Sequence, residues 1–158
     1  MPRSRSSGTI RPCSQGRPGN WAAPRLASGH NRAVLDMGVI VLGVTDRERA
    51  TAFWSAALGW DVRTDGFGGW ATVLAPRDGR GTPIALQVSE TPLQDHPRLH
   101  LDLHAGSRAE QEAEAARLVG LGARRVDWDS FPDDPDFVVL ADTEGNRFCI
   151  VDLSHEEP

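Results

Sequence analysis

The 158-residue chain has no lysine; all 17 of its cationic residues are arginine. No apolar run approaches the roughly 18 residues that a membrane helix needs, so no helical span and no membrane partner are expected. There are two cysteines, Cys13 and Cys149, far apart and in unlike surroundings. That argues against a disulfide framework and fits a reducing, cytoplasmic compartment. Acidic residues are missing altogether before Val34, where Arg3, Arg5, Arg11, Arg17, Arg25 and Arg32 fall. From Val34 onward eleven arginines stand against 22 acids, a net charge of −11. A body this acidic repels a phosphate backbone and attracts cations, so nucleic acid is excluded as a partner and a cationic small ligand is favoured.

Residues 1–33 are rich in Arg, Ser, Pro and Gly and show neither helical nor strand periodicity, which reads as a disordered tail. The segment has no apolar core of a secretory signal, and its Pro and Gly oppose the amphipathic helix of a transit peptide. It is expected to be dispensable, with an arginine contact to an anionic surface as the other reading. Residues 34–158 are one domain's worth of chain, and their make-up follows ordinary globular composition: 39% of the whole sequence is hydrophobic and 25% charged.

What is there is a pattern that occurs twice. "MGVIVLGV" (37–44) predicts a buried strand. A helix over 45–59 follows, with Thr45 and Glu48 spaced as a capping box and Gly59 as the stop. Ala50, Phe53, Trp54, Ala57 and Leu58 form its apolar stripe. Strands at 60–64, 70–75 and 83–89 come next, separated by the glycine-rich turns "DGFGG" and "RDGRGT". The second half repeats the order: a strand at 98–104, a helix at 107–122 capped by Ser107 and Glu110, and strands at 123–128, 136–141 and 146–153. "ALGW" (57–60) and "GLGA" (120–123) end the two helices 63 residues apart. The simplest account is a duplicated βαβββ module, over about 36–90 and 97–153, whose two sheets meet and enclose something.

The duplicated pattern, with "VTDRERATAFWSAALGWDV" (44–62), "RLHLDLHAGS" (98–107) and "DTEGNRFCIV" (142–151), resembles the vicinal oxygen chelate superfamily. Within it the likeness is to the glyoxalase-like and bleomycin-resistance-like branch. The resemblance spans residues 36–153. It implies an α+β fold in which two tandem βαβββ modules form an eight-stranded incomplete barrel with the helices outside, the glyoxalase/bleomycin resistance/dihydroxybiphenyl dioxygenase fold. It also implies four metal positions inside the barrel, which fall here on Val39, on Ala85 or Gln87, on His100 and on Cys149. Val39 and Ala85 offer no ligand atom, and hard divalent cations want oxygen donors. No metal and no other cofactor is therefore expected. The likeness leaves a homodimer open.

Strand alternation assigns the lining without the resemblance. Leu99, Leu101 and Leu103 should lie under the helix, and His100, Asp102 and His104 should face the cavity. Ile84, Leu86 and Val88 should lie under the helix, and Ala85, Gln87 and Ser89 face inward. Val39, Val41 and Gly43 line the first strand; Phe148 and Ile150 oppose Arg147, Cys149 and Val151 on the last. His100 is the candidate general base. Gln87, Asp102, Arg147 and Cys149 are candidate ligand contacts, and Trp70, after the flexible "GFGG", is the candidate stacking ring. Each has a plainer reading: His100 as a structural histidine, Asp102 with Arg147 as an ion pair, Cys149 as a small core residue whose thiol is raised by neighbouring acids. Trp54, Trp60 and Trp128 read as core.

The expected function is small-molecule binding in the barrel cavity, by a lyase- or isomerase-type enzyme working from His100 without a metal. The alternatives are an antibiotic-sequestering protein and a ligand sensor without turnover.

Overall fold

The computed structural model describes residues 37–64, 66–129 and 131–155; the expectation for the tail at 1–33 lies outside them. Two four-stranded sheets are formed, each with one helix. The first contains β1 (Ile40–Val44), β2 (Asp61–Arg63), β3 (Ala71–Ala75) and β4 (Ile84–Val88), in the order β1-β4-β3-β2. The second contains β5 (Asp102–Ala105), β6 (Arg124–Arg125), β7 (Phe137–Ala141) and β8 (Arg147–Asp152), in the order β5-β8-β7-β6. Helix α1 (Arg47–Leu58) follows β1, and α2 (Arg108–Gly120) follows β5. In each sheet the first and last strands of the module pair in parallel, and the other pairs are antiparallel. This is the expected duplicated βαβββ fold. Among the described residues no helix is long and apolar enough to cross a membrane.

The helices begin where side chains can satisfy their first N–H groups. Ser107 caps α2 as expected, accepting from Glu110 N, while Glu110 Oε2 accepts from Gly106 N at 2.9 Å. The cap of α1 differs from the expected one: it is Asp46, which accepts from Arg49 N at 3.0 Å. Thr45 is instead bound to the second module. Gly59 closes α1 in the left-handed conformation at φ 64°, which a side chain with a Cβ resists.

One core serves both modules. Phe53 and Trp54 of α1 pack on Phe148 of β8, with ring centroids 6.3 and 5.1 Å apart. Leu74, Leu86, Leu118, Leu140 and Ile150 complete the same cluster. The faces of the sheets turned away from this core carry the polar residues, with Gln87, Asp102 and His104 exposed. One part of the expected alternation fails. The strand predicted over 98–104 begins only at Asp102, and Leu99 is 72% exposed rather than under a helix. His100 and Leu101 lie in the connection ahead of the strand, because the chain arrives there along the crossover from the first module. Val88, expected under the helix, is also exposed at the end of β4.

Candidate functional site

The turn between β7 and β8 organises the site. Asp142 Oδ1 accepts from Glu144 N (2.9 Å) and Asn146 N (2.8 Å), an Asx-type closure that holds Gly145 at φ 90°. Asp142 Oδ2 accepts from the buried indole of Trp54 at 2.9 Å. Asn146 Nδ2 donates to Gly43 O at 3.0 Å. Glu144, its side chain 1% exposed, accepts from Thr45 N, Thr45 Oγ1, Asp46 N and Arg49 Nε at 2.6–2.9 Å. Burial alone would raise its pKa, but these bonds, led by Arg49 and Thr45, outweigh it and hold the carboxyl at about 2. The turn thus clamps the end of β1 and the start of α1, and fixes where β8 begins.

From that origin β8 sends Phe148 and Ile150 into the core, and Cys149 and Arg147 to the other face. Cys149 stands opposite Asp102 in the parallel register. His100 Nε2 is 3.2 Å from Asp102 Oδ1, and the ligand atoms of His100, Asp102 and Cys149 lie within 4.8 Å of one another. Cys149 as a whole is 9% exposed. Burial, with the charge of Asp102 and a hydrogen bond to it, pushes the Cys149 pKa up to about 12. Cys149 is therefore a protonated donor to Asp102, not a thiolate. The cysteine on β8 thus faces a carboxylate.

Arg147 is anchored elsewhere. Its side chain is 16% exposed; Nη2 lies 3.1 Å from Asp95 Oδ1 and Nη1 donates to Asp95 O. The guanidinium sits 5.2 Å from the ring centroid of Trp128, a cation–π contact. Trp128 also meets His96, which bonds Asp129 at 3.0 Å. So Trp128 is a half-buried platform, not a core ring, and the anion beside Arg147 is Asp95, not Asp102. Sequence periodicity could not find Asp95 or His96, since both lie in the irregular crossover.

The crossover, residues 89–101, runs over this region and roofs a cavity of about 370 Å³. Val41, Leu42, Leu93 and Leu99 supply apolar wall, and His100, Asn146 and Arg147 supply polar groups. Leu93 lies so close to Gly145 that a Cβ there would fall 2.6 Å from its Cδ1. Of the sequence-predicted residues, His100 and Arg147 line the cavity, and Asp102 and Cys149 adjoin it through His100. Gln87 is exposed on β4 opposite Gly43 and Ala71, and Trp70 is 70% exposed beside Ala71. Neither lines the cavity.

The strand registers relate the two modules to each other. The helix caps Asp46 and Ser107 are 61 residues apart, which maps Asp102 onto Val41. Val41 pairs with Ala85 as Asp102 pairs with Cys149, so the first-module equivalent of Cys149 is Ala85, fully buried. The first-module equivalents of His100 and Cys149, Val39 and Ala85, bring no donor. The second module brings one nitrogen, one oxygen and one protonated sulfur, with Asp102 already engaged by both neighbours. This set does not fit a hard divalent cation, which needs several oxygen ligands.

Comparison with known proteins agrees with the fold. The family model for the glyoxalase-like domain matches residues 39–151. A glyoxalase/bleomycin resistance protein/dioxygenase family enzyme from Burkholderia phytofirmans PsJN is 15% identical, with a TM-score of 0.60 over 75% of this chain and 99% of its own. A possible glyoxalase from Bacillus cereus gives 0.56 at 15% identity, over 75% and 99% of the two chains. A variant of the fosfomycin resistance protein FosX from Listeria monocytogenes, complexed with Mn(II) and 1S,2S-dihydroxypropylphosphonic acid, gives 0.55 at 14% identity, over 76% and 90%. No curated protein matches the sequence.

Proposed function

The chain belongs to the glyoxalase-like domain family, and we propose that it binds a small molecule in the cavity beneath residues 89–101 and acts on it from His100, without a metal. The observation that carries this reading is the His100–Asp102 pair at 3.2 Å on the cavity wall. A carboxylate beside one imidazole nitrogen orients the ring and stabilises the imidazolium that forms when the other nitrogen takes a proton. That chemistry suits an isomerase or lyase that removes a proton from carbon. Cys149, protonated and hydrogen-bonded to Asp102, holds the carboxylate in place and takes no nucleophilic role.

A second reading, sequestration or sensing without turnover, is favoured by the half-exposure of both members of the pair, 46% and 49%. Solvent screens such a pair and lessens the help Asp102 gives. The test is a thermal-shift screen of small molecules, since a ligand of the folded state raises the melting temperature. Hits are then followed by NMR for chemical change and for exchange of carbon-bound protons with D2O. Binding that His100→Ala weakens, with exchange that Asp102→Asn slows, supports the enzyme. Binding without exchange supports sequestration, and hits indifferent to His100→Ala would sink both.

A further inference from the structure

We infer that the ligand of this cavity carries an anionic group, and that Arg147 binds it by exchanging Asp95 for it. The inference rests on the cavity being the ligand site, and it names the class of ligand. The body of the protein is acidic, but the cavity is not. Among the described residues lining it, the charged side chains are Glu144 and Arg147. Glu144 is fully engaged by Thr45, Asp46 and Arg49, so its charge is compensated locally. Arg147 is the opposite case. Its guanidinium is largely removed from water, which demands an anion in compensation. The anion it has is poor: Asp95 gives one carboxylate oxygen at 3.1 Å beside its backbone carbonyl, and its own side chain is 94% exposed. A pair so open to solvent on one side is weak and exchangeable. Nε–H of Arg147 has no acceptor among the described residues. Trp128 lies against the guanidinium, 5.2 Å from its ring centroid, and a planar guanidinium can meet a carboxylate or phosphonate through two parallel bonds. The apolar wall of Val41, Leu42, Leu93 and Leu99 then takes the remainder of the ligand and leads it toward His100. Asp95, in this account, is a placeholder carried by the crossover.

The test uses three probes of one shape and different charge, phenylacetate, phenylacetamide and 2-phenylethylamine, titrated into the full chain and followed by NMR shifts of cavity residues. Phenylacetate should bind about tenfold or more tightly than phenylacetamide, the usual margin for a hydrogen bond to a charged group. Arg147→Gln should abolish that preference. Asp95→Asn should strengthen phenylacetate binding, because it removes the competing anion; this variant leaves the buried residues intact and keeps the test open if Arg147→Gln folds poorly. Equal binding of the acid and the amide overturns the anionic assignment and leaves the cavity reading standing. Preference for the amine, or weaker phenylacetate binding in Asp95→Asn, overturns it as well. Shifts confined to residues outside the cavity overturn both this inference and the cavity reading.

Discussion

Thr45 gives both its backbone N–H and its hydroxyl to one oxygen of Glu144, at 2.8 and 2.6 Å, across 99 residues of sequence. A buried carboxylate therefore serves as the outer cap of a helix in the other module, beside the local cap Asp46. Placing a negative charge at a helix N-terminus is favourable in itself, and Arg49 completes the neutralisation.

Glu144→Gln should lower stability by about 1–3 kcal/mol, since an amide would turn donors toward donors. The pH dependence follows from the sign of the shift. The folded carboxyl, at about 2, lies below the ordinary glutamate value of about 4.3. Its contribution, about 3 kcal/mol at most, is present in full above about pH 5 and is lost as pH falls toward 2. Urea titrations from pH 7 to pH 3 should show the wild type losing stability that Glu144→Gln has already lost. Parallel curves for the two proteins would refute the role.

Cys149 should resist alkylation. With its pKa at about 12 and little exposure, hardly any thiolate forms at pH 8. Peptide mapping after iodoacetamide should find Cys149 unmodified in the folded protein and modified in urea. Asp102→Asn should speed the reaction by lowering the thiol pKa, and rapid labelling of native wild type would contradict the assignment. Because the folded pKa is raised, the thiol favours the folded state below the unfolded pKa of about 8.5, and that advantage is lost as pH rises above it.

Trp54→Phe should cost about 2–4 kcal/mol. It removes a buried hydrogen bond to Asp142 and leaves that carboxylate oxygen with only the longer bond from Asn146 Nδ2, 3.3 Å. It also shrinks the ring packed on Phe148. Chemical denaturation measures the loss. A change below about 0.5 kcal/mol, the range of ordinary surface substitutions, would mean the indole bond carries no weight.

Dialysed protein should contain no stoichiometric Zn, Ni, Mn or Fe, and chelator should leave its melting temperature unchanged. The reason lies in the donor set: Val39 and Ala85 contribute nothing, and the Cys149 proton must be displaced before sulfur can bind. Stoichiometric zinc that disappears in His100→Ala would reverse this.

The fold was legible because its signals are local. Gly59 at a helix end, Ser107 three residues before Glu110, and the alternation of Phe148 and Ile150 against Arg147 and Cys149 are all read within a few residues. The site was legible only in part, since His100, Asp102, Cys149 and Arg147 sit on or beside strands whose faces alternate. What was missed depends on contacts across the chain. Thr45 looks like a cap because Glu48 follows it, yet Glu144 takes it and the cap moves to Asp46. Leu99 continues the alternation of Leu101 and Leu103, but the strand has not begun there. Asp95, His96 and Leu93 lie in a segment without periodicity, and only the folded crossover brings them to Arg147, Trp128 and Gly145.

The shared aromatic cluster has a consequence for synthesis. Phe53 and Trp54 leave the ribosome before the second module, and the partner of the Trp54 indole lies 88 residues later. At roughly 5–20 residues per second, translation takes on the order of 4–18 seconds to deliver it. During that interval the nascent first module carries two large rings without their second-module partner, and water takes the indole N–H. Slower elongation through the second module lengthens the time for which those rings lack Phe148.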